Sequence, residues 1–324
     1  MVNERLLRPD ELPESLWNQT AGTLTLPIAL IDAYVRAVDA SKLRHIGINR
    51  PPGGGPVGGL TRESANEHFA QAFDGSAART MLALLDPKNE VGSTSDCFVA
   101  AAAGADLALT DAPCGAGAAA LSLLTTIASL RAHGVLPRSV LNVRLIGGEL
   151  SEHAVAHASA LLADIRPSLE AQAIFVEHQF IRWDVTDSLS TSDLIKACVV
   201  QGVGRACKLL VVANFNGFLV KDQKLKVAQP QLNELFRYAS GGHSFAIWIE
   251  PDMNRATEKG GLFSSVLRLF SDGGWRHFGK VDPDISAEKP VFTSSARFRL
   301  PLQPEMTARV GLAVMPIDLA GSRA

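Results

Sequence analysis

The stretch LALTDAPCGAGAAALSLL, residues 107–124, passes from a short apolar run through a turn bearing Pro and Gly into an unbroken run of small and apolar residues. A strand over 107–110 and a helix from about 118 to 133 open a βαβ unit. Between them, Gly115 and Gly117 let the backbone turn tightly and approach a ligand with no Cβ in the way. The run Gly-Ala-Gly-Ala-Ala-Ala from Gly115 also fits G-x-G-x-x-A, the pattern that turns a helix N-terminus toward a dinucleotide pyrophosphate. The uncharged run 112–130 has the length of a membrane span. Its Pro113, Gly115 and Gly117, and its filling of Ala, Ser and Thr, predict a buried loop and helix instead.

Downstream, short apolar runs alternate with helical ones, which is how parallel sheets with helices on both faces are encoded. Strands are expected over 140–146, 173–183, 208–213 and 244–249, and Ser151 is placed to cap a helix running to about 164. The C-terminus breaks the rhythm. Runs at 292–300 and 307–315 are joined by PLQPEM, too short for a crossover helix, and therefore pair as an antiparallel hairpin. The expected fold is α/β, a Rossmann-like doubly wound sheet of seven strands, mostly parallel, with a C-terminal antiparallel hairpin. An N-terminal helical region, 1–95, read as a substrate cap or interaction segment, precedes this 96–324 domain, with one helix expected over 24–38 and one or two over 63–85. Between those helices RPPGGGPVGGL, residues 50–60, reads as a mobile loop or linker, either a simple tether or a lid that closes over a ligand.

The chain has 324 residues and a net charge of -2, so bulk charge names no partner and gives no strong nucleic-acid signature. Hydrophobic residues at 47% and charged ones at 20% exclude wholesale disorder. Four scattered cysteines, Cys97, Cys114, Cys198 and Cys207, make no disulfide framework and suit a reducing compartment. The N-terminal residues lack the apolar run of a secretory leader, and a cytoplasmic location without membrane association is expected. His153 and His157 stand at i and i+4, but HAVAH has neither the catalytic Glu nor a third ligand, so no metal is expected. The basic loop at Lys221, Lys224 and Lys226 reads as a solvated face.

Three acids end three successive strands, at the edge where open α/β sheets bind ligands. Asp111 lies four residues before Gly115, where a carboxylate opposes a phosphate and favours a cation. Glu149, beside Leu150, suits ribose hydroxyls, and Asp184, beside Trp183 and Val185, suits an adenine amine with apolar cover for the ring. S-adenosylmethionine carries a sulfonium and an ammonium, so the sign of the site fits it better than NAD.

On these residues the segment from about 100 onward resembles a class I S-adenosylmethionine-dependent methyltransferase. Asp111-Ala-Pro113-Cys-Gly115-Ala-Gly117 resembles the family's first motif, Glu149 its ribose acid, Asp184 its adenine-side acid, and Asn214-Phe215-Asn216-Gly217-Phe218 its fourth motif. The terminal hairpin resembles its sixth and seventh strands. The resemblance implies S-adenosylmethionine held by Asp111, Pro113, Gly115, Gly117, Glu149, Leu150, Asp184, Val185 and Asn214. It also implies transfer to an N or O nucleophile of a protein, RNA or small molecule. Asn214 and Asn216 are read as holding an acceptor N–H or O–H through their amide oxygens, with Phe215 and Phe218 walling the site. Glu250 is the candidate general base, set against a plain strand-end charge. His68 approaches the cofactor if the helix before the first motif covers the site. Two other readings stand beside this one: a methyltransferase-like module that binds a nucleoside or a protein without turnover, and an NAD-dependent oxidoreductase. A protein partner or a second copy is expected to attach through the N-terminal region.

Overall fold

The computed structural model describes residues 5–50, 58–201, 207–221, 223–241, 244–252 and 291–319. Two short strands, β1 (Trp17–Asn18) and β2 (Thr23–Leu24), precede four helices, α1 (Ile28–Ala40), α2 (Arg44–Ile48), α3 (Arg62–Leu85) and α4 (Gly92–Ala103). Alternation then begins with β3 (Asp106–Asp111), α5 (Ala118–Ala132), β4 (Leu141–Glu149), α6 (Glu152–Glu170) and β5 (Ile174–Arg182). It continues through α7 (Ser188–Gln201), β6 (Cys207–Ala213), α8 (Asn216–Lys221), α9 (Leu225–Ala239) and β7 (Ser244–Pro251), and closes with β8 (Phe292–Leu300) and β9 (Gln303–Asp318).

The nine strands among the described residues form one sheet in the order β1-β2-β8-β9-β7-β6-β3-β4-β5. From β5 through β7 the neighbours are parallel, with Asp111 abreast of Gly147 on one side and Val211 on the other. The terminal hairpin is antiparallel, as its short connection requires, and β9 inserts between β7 and β8. The seven expected strands are therefore present, but the sheet has nine. The extra pair comes from the N-terminal region, where Thr23 and Leu24 add parallel to Arg297 and Phe298 of β8. Two-residue strands have no hydrophobic period to read. Leu24 is thus a strand residue, and the first helix starts later than expected, at Ile28, with Pro27 as its N-cap residue.

Side chains alternate between the faces of the sheet and divide the core in two. Leu209 and Val211, Ile247 and Ile249, and Leu312 and Val314 face a layer built by α1, α3, α4, α5 and α6. Their neighbours Leu210 and Val212, Trp248, and Ala313 and Met315 face α7, α8 and α9. The doubly wound arrangement is thus present, and N-terminal helices share the first core layer with the alternating units. Helix α5 is buried nearly all round, which accounts for a sequence free of charge until Arg131 in its last turn. Helix α3 is one continuous element, capped by Thr61 Oγ1 accepting from Ser64 N at 3.2 Å. Its middle is tied to the residue that enters the Gly/Pro segment, since Arg50 clasps the fully buried Asp74 through two bonds of 2.8 and 2.6 Å. Most of that segment, 51–57, lies outside the described residues. Ser151 caps α6 as expected, its Oγ accepting from Ala154 N, and the helix runs on past Pro167 to Glu170. Among the described residues no helix is long and apolar enough to cross a membrane.

Candidate active site

A cavity of about 610 Å³ opens at the carboxyl ends of β3, β4, β5 and β6, within the range of small-molecule sites. Its floor is the turn after β3. Ala112 N donates to Val211 O at 3.0 Å and Cys114 N to Gly148 O at 2.9 Å, pinning the turn between β6 and β4. Gly115 and Gly117 both take left-handed φ, +52 and +82, which side chains rarely adopt. Gly117 also packs against α5 and α6, where a Cβ would lie 3.1 Å from Leu121 and 3.3 Å from Ala158. It shapes the turn from behind and is not part of the cavity wall; Gly115 and Pro113 are.

Asp111 is wholly buried at the end of β3. Its Oδ2 accepts from Ala120 N at 3.2 Å, in the first turn of α5, while Oδ1 has no hydrogen-bond partner among the described residues. Burial, and then the proximity of Glu149, outweigh the Ala120 bond and push its pKa up to about 7. Glu149 is held by two backbone donors, Gly115 N to Oε2 and Ser151 N to Oε1, each at 2.9 Å. Burial raises its pKa too, against those bonds. Asp184 lines the same cavity in a different state. Burial works to raise its pKa, but donation from the Thr186 hydroxyl at 2.7 Å and Thr186 N at 2.9 Å, with the Lys224 and Arg182 charges, brings it below the ordinary carboxylate value. Leu150 and Val185 complete this side.

Aromatic rings close the far wall. Phe215 lies 5.8 Å from Trp183 and stacks on Phe218 at 5.8 Å, and Lys224 Nζ sits 4.3 Å above the Phe218 ring. Helix α3 forms the roof with Ala65, His68, Phe69, Phe73 and Ser76. Burial pulls the His68 pKa below that of an ordinary imidazole, with Glu67 opposing, so His68 is neutral at physiological pH.

The structure thus brings Asp111, Pro113, Gly115, Glu149, Leu150, Asp184, Val185, Asn214 and Phe215 to one cavity, and it places Gly117 behind the wall. Glu250 is 1% exposed and stands away from the cavity wall, its Oε1 accepting from Phe215 N at 3.0 Å and Trp248 Nε1 at 2.7 Å. That geometry suits a residue that holds the loop after β6 in place. Asn214 has its Oδ1 bound to Arg79 Nη1, so the amide oxygen read as an acceptor-holding group is already engaged by the protein. The side chain of Asn216 lies outside the described residues.

The α3 roof residues other than His68, together with Lys224 and Arg79, were not legible as site residues. The α3 residues follow a helical face, which reads as ordinary core. Lys224 reads as surface. His157, half of the i, i+4 pair, stacks on Phe69 with centroids 4.1 Å apart and bonds Asn66 Oδ1 at 2.8 Å. No group of three or more His, Cys, Asp or Glu that could hold a metal occurs among the described residues.

No family model matches the chain, and no curated protein does. Among solved structures it is similar to a protein of Listeria monocytogenes described as a "putative class I S-adenosylmethionine-dependent methyltransferase". The two are 12% identical, with 91% of this chain and 88% of that chain covered at a TM-score of 0.34. So loose an overlay says nothing of chemistry, which has to be read from the cavity itself.

Proposed function

We propose that the chain is an S-adenosylmethionine-dependent methyltransferase. The observation that carries this reading is the split state of the Asp111 carboxylate, with one oxygen bonded by α5 and the other without a donor among the described residues. Its Oδ2 already caps α5, so the helix N-terminus that a dinucleotide fold offers to a pyrophosphate is answered by the protein's own carboxylate. Its buried Oδ1 has no donor among the described residues and suits a cationic group. The same atom pair thus argues against a diphosphate and for a positively charged nucleoside. The strand order supports the reading as well, because β9 inserted antiparallel between β7 and β8 is the hairpin that the methyltransferase resemblance implies.

The residues present fit the cofactor. Asp111 would take its cationic end, the oriented Glu149 carboxylate its ribose hydroxyls, and Asp184 with Leu150 and Val185 its adenine. When bound, S-adenosylmethionine supplies an electrophilic methyl group on sulfonium. The chain's own part is to align an N or O nucleophile of the acceptor and keep water away. Phe69 and Phe73 on the roof and Phe215 on the wall are the apolar surfaces that do so. Alignment of this kind is worth about 7 to 11 kcal/mol of barrier. Asn214 and Phe215 stand at the transfer end, Asn216 joins them in this proposal, and Glu250 acts by fixing the loop that carries them.

The test is consumption of methyl-labelled S-adenosylmethionine by the purified protein in a cell extract, with Asp111→Ala as control. Transfer by the wild type and none by the variant supports the reading; binding without transfer would leave a nucleoside-binding module.

A further inference from the structure

Arg79 enters from α3 and touches both the loop after β6 and the terminal hairpin. Its Nη1 donates to Asn214 Oδ1 and its Nε to Gly311 O at 3.2 Å. A guanidinium has only donors, so the amide atom that faces it is the oxygen, and the usual ambiguity of an Asn side chain is removed. The backbone around Asn214 is fixed as well. Asn214 takes a left-handed φ of +56, its N donates to Ile249 O at 2.9 Å, and the next residue, Phe215, donates to Glu250 Oε1. With backbone and Oδ1 both held, Nδ2 has one direction left. Asn214 lines the cavity, and Nδ2 is neither shut away nor bonded to any described residue.

We propose that Arg79 is a positioning residue that presents the two amide N–H groups of Asn214 to the cavity, so that the ligand group docking there is a hydrogen-bond acceptor of the carboxylate class rather than an amine. The polarity is opposite to that of Asp111 Oδ1, the buried acceptor at the cavity floor that has no donor among the described residues. A cavity with one unanswered acceptor and one aimed donor selects a ligand carrying both signs, each at its own place. Glu250 and Asp74 lie near enough to support the Arg79 charge, and the guanidinium, with its pKa lowered by burial to about 10, remains charged at neutral pH. The carboxylate has two possible sources, the amino-acid end of an adenosyl cofactor or the methyl acceptor. The first source rests on the function proposed above.

Two probe pairs separate the sources. S-adenosylhomocysteine and methylthioadenosine share the nucleoside and thioether, and only the first carries an amino-carboxylate. Benzoate and benzylamine share a ring that fits the Phe73 and Phe215 walls and differ in charge. Affinities are measured by calorimetry and ligand-observed NMR for the wild type, Asn214→Asp, Arg79→Met and Arg79→Lys. Asn214→Asp retains an oxygen for Arg79 and replaces the donor by an anion. If the cofactor is the source, it lowers the preference for S-adenosylhomocysteine over methylthioadenosine at least tenfold. If the acceptor is the source, it inverts the preference for benzoate over benzylamine in S-adenosylhomocysteine-saturated protein. Arg79→Met, which frees the amide to flip, erodes the same preference, and Arg79→Lys largely restores it. Both ratios staying within twofold of the wild type in Asn214→Asp overturns the assignment of the donor. Unchanged ratios in a folded Arg79→Met overturn the role of Arg79. If the wild type binds neither nucleoside, the methyltransferase reading fails on its own, and the benzoate and benzylamine comparison on the free protein still decides the polarity of Asn214.

Discussion

Asp111 keeps its carboxyl group inside the fold with the Ala120 N–H on one oxygen and no donor from the described residues on the other, and burial lifts its pKa to about 7. A carboxyl group whose folded pKa lies above its unfolded value stabilises the fold below the unfolded pKa and loses that contribution as pH rises through the folded one. The free protein is therefore predicted to lose stability between about pH 4 and pH 7, with at most about 4 kcal/mol from this group. Asp111→Asn, which removes the buried charge, should melt at a higher temperature than the wild type at pH 8 and bind S-adenosylmethionine at least tenfold more weakly. Thermal melts across pH check the first half, and equal pH slopes in the two proteins would contradict it. A cationic ligand favours the ionised form, so affinity for S-adenosylmethionine should rise from pH 6 to pH 8, with proton release on binding at the lower end. Calorimetry in two buffers of different ionisation heat measures that release.

The turn after β3 and the helix over it set the shape of the site. Gly117 combines a left-handed φ with close packing against Leu121 and Ala158. Gly117→Ala is predicted to cost about 1 to 3 kcal/mol in urea denaturation, and a variant as stable as the parent would contradict the backbone argument. Arg50→Ala leaves Asp74, buried in the middle of α3, charged or protonated without its partner, where burial already raises its pKa against the pull of Arg50. Its expected cost, by the same measurement, is about 3 to 5 kcal/mol. These elements differ in how far the sequence discloses them. The parallel strands and their helices follow from alternating apolar runs, and the acids at strand ends follow from the turn that each strand meets. Strands β1 and β2 do not, because two residues make no pattern and their pairing depends on β8, which lies far along the chain. Arg79 is equally silent, since a charged residue on a long helix reads as surface until β9 and the loop after β6 are folded against it. The polarity of Asn214 follows from Arg79 and is hidden for the same reason.

At the scale of the molecule, the carboxyl edge of a doubly wound sheet is roofed by α3, which packs into the same core layer as Leu107, Val143 and Leu209. A chain beginning at residue 96 would expose that layer, so it is predicted to lose near-UV circular dichroism and to bind a hydrophobic dye. A native-like spectrum would contradict the shared core. The cavity beneath the roof holds two carboxyl groups whose pKa values burial raises, and a third kept ionised by Thr186. On the function proposed above, that distribution of charge favours a cationic nucleoside over a dinucleotide. The most direct measurement is a calorimetric titration of the purified protein with S-adenosylmethionine and with NAD, repeated on Asp111→Asn. Micromolar binding of S-adenosylmethionine that the substitution abolishes, with no binding of NAD, is the predicted result. Micromolar binding of NAD without S-adenosylmethionine, or binding of S-adenosylmethionine indifferent to Asp111, would contradict it.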